Sequence, residues 1–254
     1  MLFSRKSKII QKADDLFIKA KEAFVNDKLE ESYELFNASM ELFNKVKEQR
    51  RKEAQICKGY MLTLEGFKLK TQQKFIDSMK SFGQAFVLFS SENEKELAKI
   101  VRGEQAKAQI EFAKIKGQEG DFDEAARLFD SAGAVFEMAG LDKEAAGARA
   151  RSYVQRAAQV DDDFQKANFL KQAVEHFKKA RENQTIVEAH ALFYEGRALQ
   201  AVNVRDALEC LIRASDKYEQ AGAKDRVKRV QQIVQELSEK IKSRPSDYGV
   251  NFKY

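Results

Sequence analysis

Five times along the chain a small residue is followed four positions later by a large apolar one and, three positions after that, by another small one. The sets are Ser32/Phe36/Ser39, Ser78/Phe82/Ala85, Ala125/Phe129/Ala132, Ala173/Phe177/Ala180 and Ala207/Leu211/Ala214. Four of them add an aromatic four residues further on, at Phe43, Phe89, Phe136 and Tyr218, and the fourth set has Gln184 there. Such offsets fall within about 60° of one another around a helix of 3.6 residues per turn. They make a narrow stripe on which small residues admit a neighbouring helix and aromatics fill the space beside it. A chain built this way must bury the same face repeatedly, which is the behaviour of stacked helix hairpins.

The large residues are 46, 47, 48 and 34 positions apart. Each interval has room for two helices and two turns. The periodicity predicts stripe-bearing helices over 29–46, 73–91, 121–139, 164–183 and 204–221. Other helices are predicted between them, over 5–25, 50–70, 94–117, 142–160 and 186–202, with a last one over 223–243. That last helix surrounds Val227, Val230, Ile233, Val234, Leu237 and Ile241 with charge, as an array's closing cap should. Asn93, Gly140 and Gly222 each stand fifteen residues after the first small residue of their set, where a left-handed residue ends a helix. Asp121-x-x-Glu124 and Thr185-x-x-Glu188 read as capping boxes. Asp161-Asp162-Asp163 places negative charge at a helix start. Gly117-Gln118-Glu119-Gly120 reads as a turn. There is 1 Pro and there are 12 Gly, where average usage gives roughly 13 and 18. Many short strands joined by tight turns are thereby excluded. The expected fold is all-α, a solenoid of about five antiparallel hairpins plus a capping helix. It forms one domain over 1–244, followed by a flexible tail over 245–254.

A small residue, a phenylalanine and another small residue on the second helix of a hairpin resemble the tetratricopeptide repeat. That repeat also carries a small residue twelve positions earlier, on the first helix. Ala20, Gly66 and Ala113 match it, whereas Asp161 and Glu195 do not. Hairpins of 46–48 residues, longer than that repeat, are most similar to the tetratricopeptide-like array of the soluble NSF attachment proteins, the SNAP family of membrane-fusion adaptors. The stretch 121–158 carries the closest likeness, in Phe122-Asp123-Glu124-Ala125-Ala126, Phe136-Glu137-Met138-Ala139-Gly140 and Lys143-Glu144-Ala145-Ala146. The resemblance implies a right-handed solenoid, a helical-bundle partner and an ATPase that remodels it. The chain ends Gly249-Val250-Asn251-Phe252-Lys253-Tyr254 rather than on the acidic, leucine-bearing segment with which that family engages its ATPase.

No phosphate-binding glycine loop, nucleophile elbow, His-Glu-x-x-His or paired-cysteine motif is present. Cys57 and Cys210 read as reduced, structural thiols, and His176 and His190 as structural histidines. The expectation is a non-enzymatic protein with no cofactor and no metal. No apolar run approaches the ~20 residues that span a bilayer, so a cytoplasmic location is expected. Lys+Arg outnumber Asp+Glu by 45 to 40, a +5 balance that permits an acidic partner. Candidate partner-binding residues are the spaced cations Lys70, Lys107, Lys114, Arg149, Arg156 and Arg197 on the first helices. Arg149 and Arg156 have no acidic residue between them. Leu2 and Phe3, with Arg5, Lys6 and Lys8 behind them, are candidates for peripheral membrane contact. The function expected is a SNAP-like adaptor that binds a helical bundle or acidic protein along its concave face, in membrane fusion or vesicle trafficking. A generic tetratricopeptide-type scaffold for short peptides is the alternative, and a nucleic-acid-binding regulator a weaker one.

Overall fold

The structure, a computed structural model, describes residues 2–243, with side chains from Arg5 onward. Among the described residues it is all-helical, with eleven helices. They are α1 (Leu2–Val25), α2 (Leu29–Lys45), α3 (Lys47–Thr71), α4 (Phe75–Ser91), α5 (Lys95–Gln118), α6 (Phe122–Met138), α7 (Asp142–Gln159), α8 (Asp163–Ala180), α9 (Thr185–Leu199), α10 (Val204–Gln220) and α11 (Lys224–Ser243). The hairpin alternation read from the sequence is thus present, and the expected tail over 245–254 lies outside the described residues. In α3 a non-helical residue, Arg50, interrupts the first turn, which is where the sequence pattern started that helix.

The described residues fall into two compact units. One runs up to Phe112 and includes Val135–Leu141; the other takes Ala113–Ala134 and the residues from Asp142 on. In the first, α1 packs on α2, α2 on α3 and α3 on α4. In the second, α7, α8, α9, α10 and α11 pack each on the next. Helix on sequence-adjacent helix is the contact pattern of a helical solenoid.

The stripe is buried. Phe36, Phe82, Phe129, Phe177 and Leu211 are all in the core, as are Phe43, Phe89, Phe136 and Tyr218. Removing a side chain of this size from water contributes about 2 kcal/mol. In the first unit, Phe36 stacks on Tyr60 with ring centroids 4.5 Å apart, and Phe17, Phe24 and Phe89 meet Tyr60 edge-on. The small residues work as expected. The Ser32 hydroxyl donates to the Ala20 carbonyl at 2.9 Å, and Ser78 donates to Gly66 at 2.8 Å. These are the twelve-residue pairs of the repeat, and the contact requires the helices to approach without bulk between them. In the last hairpin the close contact belongs to Gly196 rather than Glu195. A Cβ there would lie 2.7 Å from Leu211 and 3.0 Å from the Ala207 carbonyl oxygen.

The turns show why the fourth set is irregular. The N–H of Glu94, Leu141 and Ala223 closes a helix end on the carbonyl of Phe89, Phe136 and Tyr218, the aromatic of each set. The equivalent bond in α8 runs from Glu182 to Phe177, and Arg181 is the left-handed residue. Phe177 is therefore the aromatic of its copy, and the copy reads Leu170, Ala173, Phe177, seven residues earlier than the sequence pattern placed it. α8 ends at Ala180, so Gln184 never joins the stripe. With Leu170 in place, the intervals become 46, 47, 41 and 41.

Two other readings are corrected. Thr185 does not cap α9; it is the first helical residue, and its N–H donates to the Asn183 side chain at 2.9 Å. α5 runs through Gly117 and Gln118, so the turn begins later and Gly120 carries its positive φ. Asp121 caps as predicted, accepting from the Glu124 N–H at 3.3 Å, and Asp162 caps α8 by accepting from Gln165 at 2.7 Å.

Candidate protein-docking surface

The candidate cations stand on α3, α5, α7 and α9, and most of them are engaged within the chain. In the first unit Lys70 of α3 and Lys107 of α5 converge on Glu104 of α5, one on each carboxylate oxygen, at 3.0 and 2.7 Å. Burial alone would raise the Glu104 pKa. The hydrogen bonds from Lys107 and Lys70, with their charges, outweigh that and hold the carboxyl below its ordinary value. Lys70 also lies 5.2 Å from the centre of the Phe67 ring. Lys114 is exposed on α5.

In the second unit the Arg156 guanidinium meets Asp130 of α6 at 2.5 Å and lies over the Tyr153 ring. The missing neutralising anion is thus supplied from the preceding helix, where spacing along α7 could not reveal it. Arg149 crosses Gly133, where a Cβ would stand 3.2 Å from the arginine Cγ. Arg197 of α9 reaches back to Asp163 at the start of α8, 3.1 Å away. Structural ion pairs of this kind also tie Arg151 to Glu182 and Lys171 to Glu195. Leu2 and Phe3 begin α1, and their side chains lie outside those described.

An apolar cleft of about 220 Å³ opens among the first helices of the first unit. Phe24 and Val25 of α1, Tyr60 and Thr63 of α3, and Leu97 and Ile100 of α5 line it, with Phe89 of α4 also present. Val25 is 83% exposed and Ile100 57%, so the apolar lining extends onto the surface as two rims. Lys21 is the one charged residue of the lining. Burial pushes the Tyr60 hydroxyl up to about 12, so it stays a neutral phenol at physiological pH. Sequence spacing could not find this cleft, because each helix contributes only two or three of its residues.

Cys57 and Cys210 are free thiols; burial raises the Cys57 pKa to about 12, so it is not a thiolate. His176 stacks on Tyr153, and His190 meets Tyr218 edge-on. Burial is the first cause lowering the pKa of both histidines. Among the described residues no group of three or more His, Cys, Asp or Glu is placed to hold a metal ion. No described helix is long and apolar enough to cross a membrane. No protein-family model matches the chain, and no curated protein matches it.

Proposed function

We propose that this chain is a non-enzymatic scaffold that binds another protein along the first helices of its hairpins, the partner being a helix or helical bundle. The apolar cleft rimmed by Val25 and Ile100 carries the reading. An exposed apolar concavity lined from α1, α3 and α5 suits the apolar face of an amphipathic helix. The candidate cations Lys70 and Lys107 are held by Glu104, Arg156 by Asp130 and Arg197 by Asp163. A partner therefore gains its affinity from the cleft, while the spaced cations orient an acidic flank as it approaches. The SNAP-like stretch over 121–158 supports the finer reading, an adaptor acting on a membrane-associated helical bundle.

The test is affinity capture from native cytosol with the full chain, wild type beside Val25→Glu/Ile100→Glu, followed by titration with the purified partner. Both substitutions are at exposed positions, so the fold survives. Loss of a helical partner in the variant supports the reading. An unchanged set of captured proteins, bound with unchanged affinity, removes the cleft from the function.

A further inference from the structure

A second concavity, of about 250 Å³, lies in the first unit between α4, the start of α5 and the end of α6. Its lining includes Lys95, Lys99 and Arg102 of α5, and no carboxylate. Among the described residues neither Lys95 nor Lys99 takes part in an ion pair, and the neighbouring Glu94 is held by Lys52 at 2.9 Å. Arg102 is positioned in advance. Its guanidinium lies 3.9 Å from the centre of the Phe86 ring, and Nη1 donates to Gln105 at 2.8 Å. Its Nε is buried and finds no acceptor. A stacked arginine with its fork fixed loses little freedom on meeting a carboxylate. Beside the cations the lining holds the polar Ser90 and Asn93 and the apolar Phe86, Ala98, Ala139 and Met138, the last 68% exposed.

We propose that this pocket takes an acidic segment of a partner protein, carboxylates against Lys95, Lys99 and Arg102 and an adjacent aliphatic side chain against Met138. The proposal rests on the scaffold reading and moves the acidic contact to a place the sequence did not indicate. Lys70, Lys107, Arg156 and Arg197 already have anions of their own; these three cations do not. An approaching carboxylate has no internal ion pair to displace at Lys95 and Lys99. The exposed Met138 side chain favours a peptide over a nucleic-acid backbone, which brings no aliphatic side chain to it.

The probe is a fluorescein-labelled peptide, Glu-Glu-Leu-Glu-Glu-Leu, titrated with the full chain at low and at physiological salt and read by anisotropy. Lys95→Glu/Lys99→Glu should weaken binding by about tenfold or more, because two attractive charges become repulsive. The charge-matched control Lys224→Glu/Lys228→Glu, on exposed positions of α11, should change it by less than about twofold. Replacing both leucines of the peptide by serine should weaken binding to wild type and have little effect on the α5 variant. Circular dichroism checks that both variants keep wild-type helicity. No binding by wild type at millimolar peptide overturns the proposal. So does equal loss in the two variants, which would mark bulk charge, or displacement of the peptide by oligouridylate at lower concentration than by unlabelled peptide. The scaffold reading fails separately, through the Val25/Ile100 variant.

Discussion

Gly66 of α3 lies so close to Phe82 of α4 that a methyl group on it would sit 2.7 Å from the ring edge. Phe82 is fully buried and held edge-on by Phe67, with centroids 5.3 Å apart, so the ring has nowhere to go. Gly66→Ala should therefore destabilise the protein by about 1–3 kcal/mol, although alanine is the better helix former. Gly83, also within a helix, is the control, since a Cβ there meets only the end of Gln105 at 3.7 Å. Gly83→Ala should stabilise by about 0.5–1 kcal/mol. Urea denaturation followed by circular dichroism measures both, and equal effects would contradict the packing described.

Ser39 donates to the Ala13 carbonyl at 2.8 Å, and the Cys57 thiol donates to Ser39. Ser39→Ala loses the buried hydrogen bond to Ala13 and the weaker one from the Cys57 thiol, and should cost about 1 kcal/mol. Ser39→Val puts two methyl groups in place of the hydroxyl where helices touch and should cost more, about 1–3 kcal/mol. The order of the two midpoints is the check.

Gly147 leaves room for Glu182, whose two oxygens accept from Arg151 at 3.1 and 2.6 Å. An alanine at 147 pushes that carboxylate away. Gly147→Ala and Glu182→Gln should therefore be non-additive in a double-mutant cycle, with a coupling of about 0.5–1 kcal/mol at low salt. Additive effects would mean the fork is not formed in solution.

The lowered pKa of Glu104 has a direction in pH. Its folded value lies below its unfolded one, so the unfolded chain takes up the proton first. The stabilisation is complete above the ordinary glutamate value of about 4.3 and is lost as pH falls through the folded value. Glu104→Gln should be less stable than wild type at pH 7 and lose less stability than wild type on acidification. Urea midpoints from pH 7 to pH 3 show this, and parallel curves would assign the acid sensitivity elsewhere.

The hairpin plan was legible because its signal is periodic. Small and aromatic residues at fixed offsets, with turn residues fifteen positions after the first, placed the helices within a few residues. The fourth copy was misplaced for a physical reason. Ala167, Leu170, Ala173, Phe177 and Ala180 are all buried in α8, so the apolar face offers two possible registers, and only the turn bond from Glu182 to Phe177 separates them. The docking surfaces were less legible. Cation spacing along α7 marked Arg156, but its anion, Asp130, comes from α6. Lys95, Lys99 and Arg102 stand among glutamates in sequence, whereas in space Glu94 is drawn off by Lys52.

The ambiguity in α8 has a consequence for how such a chain tolerates change. Seven residues are nearly two full revolutions of a helix, short by about 20°. Insertion or loss of that length screws a rod along its own axis with scarcely any rotation, so the dry side remains dry. Length becomes a free variable, available for moving a rim or a charge along a surface while the interior is left as it was.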